Sequence, residues 1–261
     1  VTIFLEETGP DRAPAVVLLH GAGAGGWMWK RQAEALRDAF RVLVPDLPGH
    51  GRSNAVAWES VADTAEHIAE MIRKGSGTGR AHVVGLSLGG YLAAHLAATR
   101  PDVVETAVVS GVNVLPFPRP AMMRFMGRAM APLMTWGPMI NANARALRVP
   151  PEDRDAYREA ARAMSRAAFL RIGDELMDFR VPPEAADSPC PLLAVAGERE
   201  QDLILRSLPH LAGSFPAGKA WIVPGVGHGW NGETPDLFAA MVRAHAAGEN
   251  PPQSFHPVPA T

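Results

Sequence analysis

Short apolar runs rich in Val, Ile and Leu recur along the chain and alternate with longer stretches of helical periodicity. That alternation predicts a mostly parallel sheet covered by helices, an α/β architecture. Strands are expected near residues 2–7, 15–20, 41–45, 81–86, 105–112, 191–196 and 219–224, and helices over 27–37, 60–74, 88–99, 203–212 and 234–246. Two helix boundaries have local reasons. Pro101 cannot extend the helix before it, and Thr234-Pro235-Asp236 offers an N-cap, a first-turn proline and a carboxylate matched to the helix dipole.

Between Pro116 and Pro183 the alternation stops. Short helical stretches broken by Pro118, Pro120, Pro132, Pro138, Pro150 and Pro151 read as an insertion. Eight of the eleven methionines fall between Met122 and Met177, with Met122, Met126 and Met130 four apart on one helical face. Flexible thioethers suit an adaptable apolar pocket, which makes Met122 and Met126 candidate substrate-binding residues; the same stripe could instead pack the insertion onto the sheet. Arg119, Arg124, Arg128, Arg145 and Arg148 in this region are expected to form a solvated face rather than to recognise an anionic substrate. The tail over residues 248–261 carries four prolines and no periodicity, and is expected to be a mobile extension.

With 261 residues, 47% apolar and 20% charged, the chain suits one folded domain with a sizeable core. Lys and Arg (25) nearly balance Asp and Glu (27), which argues against a nucleic-acid partner. The single Cys190 excludes an intrachain disulfide and a cysteine metal site, and fits a reducing compartment. Glu6, Glu7 and Asp11 stand where a signal peptide needs a basic start, and the apolar stretches are strand-sized. A soluble, cytoplasmic protein without a membrane partner, monomeric or homodimeric, is the expectation.

The sharpest chemical signal is Gly85-Leu86-Ser87-Leu88-Gly89-Gly90, a G-x-S-x-G between an apolar strand and a small-residue helix. Glycines two residues either side of Ser87 leave room for a tight turn that exposes the hydroxyl at a helix N-terminus. With this context the sequence resembles the α/β-hydrolase family. The resemblance covers a core of residues 1–114 and 187–247; the insertion, residues 115–186, lies outside it and is expected to be a helical cap or lid placed after strand 6. The resemblance also implies a Ser-His-acid chemistry in the chain order nucleophile, acid, histidine. Gly225-Val226-Gly227-His228-Gly229-Trp230-Asn231 looks like the family's histidine loop, with His228 as base and Trp230 beside it as a candidate substrate contact. The strand near 191–196 is followed by Glu198, Glu200 and Asp202. Glu200 occupies the position where the family commonly has Asp, and Asp202, Glu198 or an acid after the strand near 105–112 remain alternatives. His20-Gly21-Ala22-Gly23 resembles the oxyanion loop, so Ala22 and Leu88 are the expected N–H donors and Gly23 a candidate substrate contact. Pro45-Asp46-Leu47-Pro48-Gly49-His50-Gly51-Arg52-Ser53 resembles a further family signature with a structural role.

Gly21-Ala22-Gly23-Ala24-Gly25-Gly26 also satisfies G-x-G-x-x-G, with Asp46 twenty residues beyond. Bulky Trp27 and Trp29 stand where a dinucleotide fold wants small residues, and that reading leaves Ser87 and His228 unexplained. The expected function is therefore a cofactor-independent serine hydrolase of small, largely apolar carboxylic esters or lactones, with no metal. The alternatives are a carbon–carbon bond hydrolase, a perhydrolase or a lyase on the same fold, or a non-hydrolytic small-ligand receptor. Lysines only at positions 30, 74 and 219 weaken the lyase, and Ser in place of Asp at 87 argues against dehalogenase or epoxide-hydrolase chemistry.

Overall fold

The computed structural model describes residues 3–259. Eight strands form one sheet: β1 (Leu5–Thr8), β2 (Ala15–Leu19), β3 (Arg41–Pro45), β4 (Ala81–Leu86), β5 (Val104–Ser110), β6 (Leu192–Gly197), β7 (Gly218–Val223) and β8 (His256–Val258). Their order is β1-β3-β2-β4-β5-β6-β7-β8, antiparallel at the two edges and parallel throughout the middle. The helices of the core are α1 (Lys30–Leu36), α2 (Val61–Gly75), α3 (Leu88–Thr99), α8 (Asp202–Gly213), the short α9 (Trp230–Glu233) and α10 (Pro235–Ala246). Between β5 and β6 come α4 (Pro120–Met130), α5 (Gly137–Ala146), α6 (Arg154–Ala163) and α7 (Arg166–Asp178).

The continuous apolar strands are explained by burial on both faces. Val17, Leu19, Val83, Val109 and Ala194 point into one core with Ile68, Leu92 and Leu208 of α2, α3 and α8. Their neighbours Val16, Leu18, Val84, Val108 and Val195 point into the other, with Leu36, Phe238 and Met241 of α1 and α10. The alternation of side chains along each strand divides one hydrophobic run between two helical layers.

Several expectations need correction. The insertion follows the fifth strand in chain order, not the sixth. Residues 27–37 divide into a 3-10 turn at Gly26–Trp29 and a shorter α1, because Trp29 turns into the core. Thr234 stands before α10 but caps nothing; its hydroxyl donates to the Trp230 carbonyl at 3.2 Å. Ser60, by contrast, accepts the Asp63 N–H at 3.0 Å and caps α2. The tail expected to be mobile supplies β8, which pairs with Ala220, Trp221 and Ile222. Phe255 anchors it, buried with its ring 5.9 Å from that of Trp230. Of the expected first strand, Thr2 lies outside the described residues, as do Ala260 and Thr261 of the tail.

Three histidines are buried in this frame. Burial, then the nearby His50, pushes His20 down to about 3; burial pushes His245 down to about 4 and lowers His50. Their ordinary value of 6.5 is recovered on unfolding, so below that pH the unfolded chain binds protons that the folded chain refuses. Stability is present above 6.5 and is lost as pH falls toward the folded values. Urea unfolding at about pH 7 and about pH 5 should show it falling, below pH 6.5, by about 1.4 kcal/mol per pH unit for each of His20 and His245. His245→Asn should flatten that slope. An unchanged unfolding free energy across this window would mean that these imidazoles are not held neutral.

Candidate active site

Ser87 sits between β4 and α3 with φ 56° and ψ −118°, a backbone conformation that a non-glycine residue holds only when its surroundings enforce it. The flanking glycines show why the turn can close. A Cβ on Gly85 would lie 1.9 Å from the Gly89 carbonyl oxygen, and a Cβ on Gly89 would lie 2.0 Å from the Leu19 carbonyl oxygen. The Ser87 N–H donates to the Ser110 carbonyl at 2.8 Å, and the Gly89 N–H to the His20 carbonyl at 3.0 Å. The turn is thus tied to β5 on one side and to the end of β2 on the other.

The end of β2 carries the glycine-rich loop. A Cβ on Gly21 would be 3.5 Å from the Ser87 Cβ, so the loop runs beside the serine. His20 is fully buried; its Nε2 accepts the Leu47 N–H at 2.9 Å, which leaves Nδ1 protonated to donate to the Gly21 carbonyl at 2.9 Å. Asp46 braces the same loop. Its Oδ1 accepts the Gly26 N–H at 2.6 Å and its Oδ2 the Arg52 N–H at 2.8 Å. Burial alone would raise its pKa, but those two donors and the Arg52 guanidinium hold it below the usual carboxylate range. The twenty-residue spacing from Gly26 to Asp46 is therefore a structural brace, with the carboxylate buried and both its oxygens engaged by Gly26 and Arg52. Leu88 opens α3, so its N–H has no intrahelical acceptor. Ala22 lines the pocket above Ser87.

Opposite the serine, His228 Nδ1 is hydrogen-bonded to Glu200 Oε1. The Glu200 side chain is only 3% exposed, against 83% for Asp202, which pairs with Arg206 on the surface. Glu198 is committed elsewhere, accepting the Gly225 N–H at 2.8 Å. Gly111, at the end of β5, makes room for the pair. At φ +67° a Cβ there would come within 2.9 Å of His228 Cε1 and 3.1 Å of Glu200 Oε1. Sequence reasoning missed Gly111; a glycine closing a strand beside the site was its only signal. Ser87 and His228 line the same pocket, without a hydrogen bond between them among the described residues.

That pocket is a cavity of about 150 Å³, walled by Ala22, Trp27, Leu147, Val149 and Tyr157 besides Ser87 and His228. A second hollow shares Ala22, Leu147 and Tyr157 and adds Gly23, Met134 and Met164. Met122 and Met126 do not line either one: they lie exposed on α4 because that helix turns its apolar face outward. Trp230 is not a substrate contact either. α9 turns it inward, where its Nε1 donates to Ser110 Oγ at 3.0 Å and its ring packs on Phe238. Among the described residues no cluster of metal-ligating side chains occurs, and no helix is long and apolar enough to cross a membrane. The arginines expected on a solvated face are partly engaged: Arg124 and Arg128 pair with Asp174, and Arg148 with Glu233.

A strand–serine–helix turn at the carboxyl end of a parallel sheet, with a histidine and a buried acid on neighbouring loops, is the arrangement of an α/β-hydrolase. The model described as the alpha/beta hydrolase family matches residues 16–241, and the chain belongs to that family. It is 28% identical, over 99% of its length and 88% of the relative's, to an AB hydrolase superfamily protein of Gibberella zeae. It is 30% identical to a protein of Caulobacter sp. (strain K31) named as a candidate carbamate hydrolase, RutD, over 90% of this chain and 91% of that one. The solved structure of a thermophilic esterase from Thermogutta terrifontis superposes with a TM-score of 0.78 at 22% identity, covering 94% of this chain and 93% of that one. Family membership supports hydrolase activity.

The packing at the turn makes a direct prediction. Gly89→Ala should cost about 3 kcal/mol or more, because the added methyl meets backbone rather than a side chain that can move. Gly173→Ala, within α7 and with open space at its Cβ, should instead gain about 0.5–1 kcal/mol of helix propensity. Paired urea titrations read both changes, and equal effects would show that the turn is not tightly packed.

Proposed function

We propose that the protein is a serine hydrolase of small, largely apolar carboxylic esters or lactones, working through Ser87, His228 and Glu200. The observation that carries the reading is the strained Ser87 on the wall of a small apolar cavity, facing an imidazole whose Nδ1 is held by a buried carboxylate. Glu200 fixes the proton on Nδ1 and leaves Nε2 to take the proton of Ser87 Oγ as that oxygen attacks the ester carbonyl. The N–H groups of Ala22 and Leu88 hold the oxyanion, each contributing about 3 kcal/mol at the transition state. As the tetrahedral intermediate collapses, the imidazolium gives its proton to the departing alcohol and Ser87 remains acylated. Water then attacks with His228 again as base, releasing the acid.

Size argues for a short group at the reacting end, because about 150 Å³ accommodates a benzene-sized guest. The adjoining hollow at Gly23, Met134 and Met164 gives the other arm of the substrate an apolar place. A carbamate is the second reading, favoured by the likeness to the protein named for that activity; its carbonyl and leaving group would use the same residues.

Initial rates on p-nitrophenyl esters of increasing acyl length test the proposal. The rate should peak at short chains, and Ser87→Ala should abolish it by about 10³-fold or more. Glu200→Gln should lower kcat by about 10³–10⁴-fold with little change in KM, as expected when the wrong tautomer is favoured. Residual turnover near the wild-type value in Ser87→Ala would remove the serine from the mechanism. Turnover of a matched carbamate in place of every ester would select the second reading.

A further inference from the structure

We propose that the outer face of the cap is a docking surface for an anionic lipid bilayer, on which the protein rests without crossing it. Seven large apolar side chains are exposed among the described residues, and all seven lie in one segment, from Met122 to Trp136. They are led by Phe125, 72% exposed, with Met126 and Trp136 each at 56%. Helix α4 buries none of its residues, although its sequence Pro-Ala-Met-Met-Arg-Phe-Met-Gly-Arg-Ala-Met is strongly amphipathic. Scattered apolar residues on a surface need no explanation, but an unburied helix face of this kind marks an interaction site.

The charge of the same segment selects the occupant. From Thr106 to Pro151 the chain has no Asp or Glu, while Arg119, Arg124, Arg128, Arg145 and Arg148 lie within it. The chain as a whole carries a net charge of −2, so the cationic surplus is local to the cap. Arg124 and Arg128 are held by Asp174 and Asp178 of α7, and Arg148 by Glu233; Arg119, at the N-terminus of α4, is exposed. Exposed apolar and aromatic side chains on a helix that opens on the exposed Arg119, in a cap whose arginines outnumber its acids, suit the headgroup region of a negatively charged leaflet. A second copy of this chain is the competing occupant, and the experiment below separates the two. The expectation of no membrane partner rested on the absence of a spanning segment, and a resting face needs none.

The face also adjoins an apolar groove. Met123 lines a hollow with Leu115, Phe117 and Leu203 that reaches Gln201, the residue after Glu200. The docking proposal does not depend on which bond the site cleaves.

Sedimentation of the full chain with vesicles of phosphatidylcholine alone, or mixed with phosphatidylglycerol, is the test. Binding to the mixed vesicles at low salt, weakened by added salt, is expected. It should fall about tenfold or more in Phe125→Asp and in Trp136→Asp, and less steeply in Arg119→Glu, with melting temperatures unchanged because all three side chains are exposed. Absence of binding to the mixed vesicles would overturn the proposal. So would equal binding to neutral vesicles, or a solution dimer that Phe125→Asp dissociates, which would make a second copy the occupant.

Discussion

The site depends on a backbone contact between the end of β4 and the first turn of α3, where the chain comes too close to itself to admit a Cβ. Gly85 and Gly89 allow that approach, and it forces the residue between them to a positive φ. Ser87 cannot relax, because its own N–H is tied to β5 and the next glycine's N–H to the end of β2. Three adjacent strands of the sheet thus hold one strained residue, and the interior packing of the sheet sustains the strain. The same geometry leaves the first N–H of α3 without an acceptor beside the hydroxyl.

The other parts of the site are held by burial. His20 is neutral because it is enclosed, and a neutral imidazole can both accept from Leu47 and donate to Gly21, which fixes the loop beside Ser87. Asp46 is ionised although buried, and its negative charge ties the Gly26 N–H of the glycine-rich run to the Arg52 N–H of the loop after β3. Glu200 is buried where Gly111 leaves a gap in the wall. The insertion then has two different surfaces. Leu147, Tyr157, Met134 and Met164 face the hollows over the serine, while Phe125, Met126 and Trp136 face outward.

Much of the sheet was legible because strands buried on both faces leave continuous runs of Val, Ile and Leu that few other structures produce. Ser87 was legible for a local reason, since the glycines that permit its turn are within two residues of it. The methionine stripe misled. Spacing of four shows that Met122, Met126 and Met130 share a helical face, but spacing carries no information about which way that face turns. Trp230 misled similarly: its place two residues after His228 suggested the pocket, and one turn of helix points it into the core instead. β8 was missed because Pro257 lies within it and Pro259 follows it, and on an edge strand a missing N–H costs little.

By itself the sequence determined the alternation of strands and helices, the strained turn around Ser87, and the presence of an insertion. Each of these is written in contacts between near neighbours or in a periodicity. Only the tertiary structure decided which of three carboxylates meets His228, that Asp46 braces a loop, and which methionines face the pocket. Those outcomes depend on side chains far apart in the chain competing for the same buried space. Glu200 and Asp202 are two residues apart, yet one is enclosed beside the imidazole and the other stands in solvent. The loop that carries them is tied to distant chain, the Glu198 N–H donating to the Val223 carbonyl at 2.8 Å and the Arg199 N–H to the Val226 carbonyl at 2.9 Å.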